Sequence, residues 1–134
     1  MELTKEQILN ADDLPRKKLK IPEWGGDVYI CKLSAKERDA WEGICLEVGS
    51  CLEKSEFKKY ASMRIKETLI YYALCDKNGN KLFTNLEDIE KLGNKAGHVI
   101  DRISEDIQNF NKISEKDLDD IEKNLESVQE NSSK

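Results

Sequence analysis

Apolar residues recur along this chain in two rhythms, and each rhythm predicts its own kind of element. A period of two appears once, near the N-terminus. Leu19 and Ile21 alternate with Lys18 and Lys20, as in a half-buried strand. After the turn-rich stretch Pro22-Glu23-Trp24-Gly25-Gly26, the β-favouring Val28, Tyr29 and Ile30 follow. The pattern predicts a hairpin with strands at about 17–21 and 27–33. A lone two-stranded hairpin is marginal in water, so it must pack on helices, take a further strand or join a sheet across subunits.

Elsewhere the rhythm is helical. Thr4 and Gln7 form a capping box for a short helix through about Ala11, which Pro15 cannot extend. Ser34 and Glu37 form a second box, and the helix they open carries Trp41, Ile44, Cys45 and Val48 on one stripe. That helix is expected to end near Gly49-Ser50 or to run on through Leu52. Residues 57–75 predict the central helix, its buried face formed by Ala61, Ile65, Leu69, Tyr72 and Ala73, with Ile70 and Leu74 widening it. Thr84 and Glu87 predict a third box and a short helix over 86–92, stopped by Gly93. Over 95–110, Ala96, Val99, Ile100, Ile103, Ile107 and Phe110 keep the i, i+3, i+4, i+7 spacing. Ser114 and Asp117 resemble a further cap, before a last helix with Leu118, Ile121 and Leu125. The expected fold is mainly α with a small N-terminal β-hairpin (α+β), a compact helical domain of about five helices. A single domain is expected over 1–126 and a disordered tail over 127–134.

Composition sharpens this picture. At 134 residues, with 38% apolar and 37% charged, the chain can build one modest core with little apolar area to spare. A partner or self-association is then expected to supply further burial. Net charge is −5, divided unevenly. Residues 1–66 carry 13 cations and 12 acids (+1), and residues 67–134 carry 9 and 15 (−6). An acidic C-terminal half disfavours nucleic acid, and the one basic cluster, Arg16-Lys17-Lys18 with Lys20, reads as the solvated edge of a strand. No apolar run approaches the ~18–20 residues that span a bilayer, and the N-terminus has no signal-peptide pattern, so no membrane partner is expected and the protein should stay in the cytosol. Cys31, Cys45, Cys51 and Cys75 form no CxxC pair. In a reducing cytosol they are expected as free, semi-buried thiols, with no zinc site.

Three features of the sequence bear on chemistry. Asp76, Asn78, Asn80 and Glu87 fall at positions 1, 3, 5 and 12 of an EF-hand-like loop, which suggests a small calcium-sensing or regulatory domain as the alternative function. Against it, Lys81 occupies the position that needs glycine, and Asn78-Gly79 is a tight-turn signal. His98, the only histidine, has no local signature of a Cys–His nucleophile pair. Trp24-Gly25-Gly26 lacks the spacing of a phosphate loop, but an aromatic residue at a turn tip suits a protein contact. No nucleophile, base and oxyanion donor assemble. The expectation is a non-enzymatic binding protein without metal or other cofactor.

Four segments in order carry a resemblance: ILNADDL, IPEWGGDVYICKLSAKERDAWE, YYALCDKNGNKLFTNLEDIEKLGNKAGHVIDRI and FNKISEKDLDDIEKNLE. Together, over residues 5 to about 126, they resemble the tail assembly chaperones of long-tailed bacteriophages. One departure is Phe110-Asn111-Lys112-Ile113, where a pattern closer to LNGL is expected. The resemblance implies a small protein of the host cytoplasm, absent from the finished virion. It implies binding to the long helical tape measure protein, keeping it soluble before tail-tube subunits polymerise around it. It also implies a longer frameshifted product whose extension contacts the tail-tube protein. Self-association fits the modest core. The expected contact residues are Trp24, Tyr29, Trp41, Ile103, Ile107 and Phe110. The same spacing also suits the three helical residues, Ile103, Ile107 and Phe110, to an intramolecular core.

Overall fold

The hairpin forms as its alternation predicts. In the computed structural model, which describes residues 1–50 and 63–112, strands β1 (Arg16–Ile21) and β2 (Gly26–Cys31) pair antiparallel from Arg16↔Cys31 to Ile21↔Gly26. Pro22–Trp24 makes a single 3-10 turn between them, closed by Gly25 at φ 74°, a left-handed conformation that glycine adopts without a Cβ penalty. The hairpin is completed by a third strand, β3 (Leu74–Cys75), on the far side of β2. β1 is therefore an outer strand, and its exposed Arg16, Lys17, Lys18 and Lys20 keep that edge solvated.

Five α-helices lie within the described residues: α1 (Lys5–Asn10), α2 (Ala35–Ser50), α3 (Ile65–Ala73), α4 (Glu87–Leu92) and α5 (Gly97–Phe110). Both arms of the Thr4/Gln7 capping box are present, as are both arms of the Ser34/Glu37 box. Helix α3 is the hub, with α2, α4 and α5 all packed on it. Leu69, Ile70, Ala73 and Leu74 meet Val99, Ile100, Ile103 and Ile107 of α5 and Ile21 and Ile30 of the sheet in one cluster. Each such aliphatic side chain, wholly removed from water, contributes roughly 1.5–3 kcal/mol. Trp41 joins the cluster from α2, and its indole N–H donates to the Ile65 carbonyl at 3.0 Å.

Three expectations are corrected. The central helix does not run through 57–75. Arg64 sits at φ 47°, ψ 51°, which breaks any helical path into α3, and Leu74 turns to extended φ −75°, ψ 132° to pair with β2. Thr84 does not cap α4. The chain turns at Asn85-Leu86, so the helix starts later and the Asn85 side chain accepts from the Glu87 N–H at 3.0 Å. Cys31 and Cys75 are not separate thiols: the pairing of β2 with β3 puts their Cα atoms 6.5 Å apart, within reach of a disulfide, despite 44 residues of separation. The LNGL position holds a left-handed residue all the same: Lys112 has φ 57° where that pattern has glycine. Ala61, Cys51, the helix expected after Ser114 and the 127–134 tail lie outside the described residues.

Candidate interaction surface

The two ends of the hairpin make different surfaces. At the tip, the 3-10 turn presents Glu23 to helix α5. Arg102 donates from both terminal nitrogens to the two Glu23 carboxylate oxygens, at 2.5 and 2.8 Å. His98 Nε2 lies 3.9 Å from the same carboxylate. The Arg102 hydrogen bonds, ahead of all other influences, pull the Glu23 pKa down to about 2. The next residue, Trp24, is 37% exposed. Trp24 walls a shallow pocket of about 330 Å³ with Phe83 and Leu92, and Asp88, Lys91 and Lys95 form its rim. Leu82 and Leu86, in the same connection as Phe83, are exposed as well.

At the base, the return loop after β3 is built around Asp76. Its Oδ1 accepts from the Asn78 and Asn80 amides at 2.8 and 3.0 Å, and its Oδ2 from Asn80 Nδ2 at 3.2 Å. These bonds, the Asn80 amide first, hold its carboxyl below the usual range. Gly79 takes φ 88°, as the Asn-Gly turn requires, and a Cβ there would lie 2.7 Å from Arg16 Nη1. Lys81 donates to the Tyr72 carbonyl and pairs with Glu37 at 2.7 Å. So the residues that resembled calcium ligands are engaged in closing a turn. Glu87, the would-be twelfth ligand, starts α4. No cluster of three metal-ligating side chains occurs among the described residues. The groove beside this loop, about 540 Å³, carries mixed charge, with Arg16, Lys36 and Lys81 against Asp12 and Glu37, and is also lined by Leu14 and Cys31.

Among the described residues, Cys45 is the free cysteine. Cys45 is half-buried, and burial, with Glu42 adding to it, pushes its thiol up to about 12, so it is protonated at neutral pH. His98 faces the hairpin tip, beside Glu23.

The expected contact residues do not converge on one patch. Trp24 is at the tip. Tyr29 is half-buried on β2, beside Leu14, Pro15 and Arg16. Phe110 is half-buried at the end of α5, with Lys32 Nζ 5.3 Å from its ring centroid. Trp41, Ile103 and Ile107 are within the core at 2%, 0% and 0% exposure, so in this conformation they act through packing. Sequence reasoning missed the pocket partners Phe83, Lys91 and Lys95 and the Glu23–Arg102 fork, whose members are 79 residues apart. It also missed Asn111. Its buried side chain accepts from the Leu33 N–H at 2.8 Å and donates to the Ile107 carbonyl at 2.9 Å, tying the end of α5 to the start of α2.

Helix α1 stands apart from all of this. None of its residues is buried, and Leu3, Ile8 and Leu9 are 62%, 57% and 72% exposed.

Residues 4–128 match a family profile described as phage tail assembly chaperone. Among solved structures, the chain is similar to the tail assembly chaperone of bacteriophage HK97, with a TM-score of 0.56 and 21% identity, over 78% of this chain and 94% of that one. That likeness concerns the fold. No match is found among curated proteins.

Proposed function

Because this chain belongs to the phage tail assembly chaperone family, we propose that it binds the tape measure protein of its phage in the host cytoplasm and keeps it soluble until tail-tube subunits assemble. The role is one of binding without catalysis or cofactor. The family match over residues 4–128 carries this reading. Physical support comes from apolar side chains left at the surface of a small acidic domain: Leu3, Ile8, Leu9, Leu14, Trp24, Leu82 and Leu86. A long helical client exposes apolar stripes that such residues can cover. Many weak copies along one client gain avidity without a tight single site. Of the expected contacts, Trp24, Tyr29 and Phe110 are reachable, while Trp41, Ile103 and Ile107 support them from the core. Self-association belongs to the same reading, as does a longer product whose extension meets the tail-tube protein.

Coexpression with the tape measure protein tests the reading. The client should become soluble and coelute with the chaperone. Unchanged client solubility with no complex on gel filtration defeats it.

A further inference from the structure

Two features of the molecule are incomplete in complementary ways. The N-terminal arm, residues 1–14, carries exposed Leu3, Ile8 and Leu9 on or beside α1, and no residue of α1 is buried against the described residues of its own chain. A six-residue helix has little stability alone, so an apolar face on it needs a seat to hold it. At the hairpin tip, Trp24, Phe83 and Leu92 line an apolar pocket open to solvent. Charge matches the two. The arm has four acids, Glu2, Glu6, Asp12 and Asp13, against Lys5. The pocket rim has Lys91 and Lys95 against Asp88. The arm enters the sheet at Arg16, opposite Cys31 and thus at the hairpin base, whereas the pocket is at the tip. A six-residue strand puts those ends about 17–20 Å apart.

We propose that the arm of one copy seats Ile8 and Leu9 in the Trp24–Phe83–Leu92 pocket of a second copy, with the acids of the arm against Lys91 and Lys95. The contact joins two different patches, so each copy offers one arm and one pocket. It rests on the self-association proposed above and adds its location. It also makes Trp24 a residue for which a second copy and a client compete.

The mass of the full chain by light scattering, over a concentration series, tests this. Wild type should associate. Ile8→Asp/Leu9→Asp should weaken association at least about tenfold, because two aliphatic side chains lose their seat. Lys91→Glu/Lys95→Glu, also at exposed positions, should weaken it too. Neither pair touches the core, so circular dichroism should show both variants folded. Mixing the two variants should restore a 1:1 complex, since one keeps its arm and the other its pocket. A photo-crosslinker at residue 8, in a mixture of ¹⁴N- and ¹⁵N-labelled chains, should give mixed-label products at Trp24 or within residues 82–95. A wild type that stays monomeric overturns the self-association itself. Association that both variants leave intact, or crosslinks within one copy or to another part of the chain, overturns the arm-in-pocket contact alone.

Discussion

Helices α1 and α5 illustrate how little a cap says about burial. Helix α1 opens with a complete capping box, yet no residue of it is buried. Helix α5 has Ala96 at its N-cap with no side-chain cap bond, yet buries Val99, Ile100, Ile103, Ser104 and Ile107. A cap satisfies orphan amides and so sets where a helix begins. The worth of the helix comes from the face it buries, which depends on what stands opposite. For α5 that neighbour is α3. For α1 the described residues of its own chain supply none, which leaves its apolar face open to a partner.

The contrast can be broken at graded strength. Ile103→Ala in α5 should cost about 2–5 kcal/mol in urea unfolding, from lost transfer and the cavity left among α3 side chains. Asn111→Ala should cost roughly 1–3 kcal/mol, since it leaves the Leu33 N–H buried without its acceptor. Lys112→Gly should act in the opposite sense, raising stability by roughly 0.5–1 kcal/mol, because glycine relieves the left-handed cost more than it adds unfolded-state entropy. A smaller effect is expected from pH. Glu23 is held at about 2 against an ordinary 4.5. Its contribution is therefore present above 4.5 and lost as pH falls from there toward 2. Glu23→Gln should lower the thermal midpoint above that window, and the gap to wild type should close within it. The smallest effect belongs to α1. Ile8→Ala should shift unfolding of the isolated chain at low concentration by less than about 0.5 kcal/mol. A cost like that of Ile103→Ala would show α1 packed within its own chain and erase the contrast.

Local chemistry explains which elements were legible. The capping boxes at Thr4 and Ser34 involve residues three apart, and each formed as read. The hairpin was visible because alternation and a Pro-Gly-rich turn are encoded within sixteen residues, 16 to 31. The α5 stripe was visible because one face of a helix is a local pattern. The Asp76 turn was separable from a calcium loop because Lys81 and Gly79 already stood in the wrong and right places for each.

What the sequence determined alone was therefore the hairpin, helices α1, α2, α4 and α5, the turn at Asn78-Gly79 and, through four ordered segments, the family. What only the tertiary structure decided depended on distant partners. Leu74-Cys75 reads as the end of a helix until β2 offers open hydrogen-bonding groups, and the same pairing brings Cys75 to Cys31. Trp41 looks like a surface aromatic or a core one until α3 presents the Ile65 carbonyl to its indole. Glu23 is one more turn acid until Arg102, 79 residues on, closes a fork on it, next to Trp24 at the rim of a pocket. Periodicity and capping act within a few residues of chain, while burial, strand addition and ion pairing are properties of neighbours that folding alone brings together.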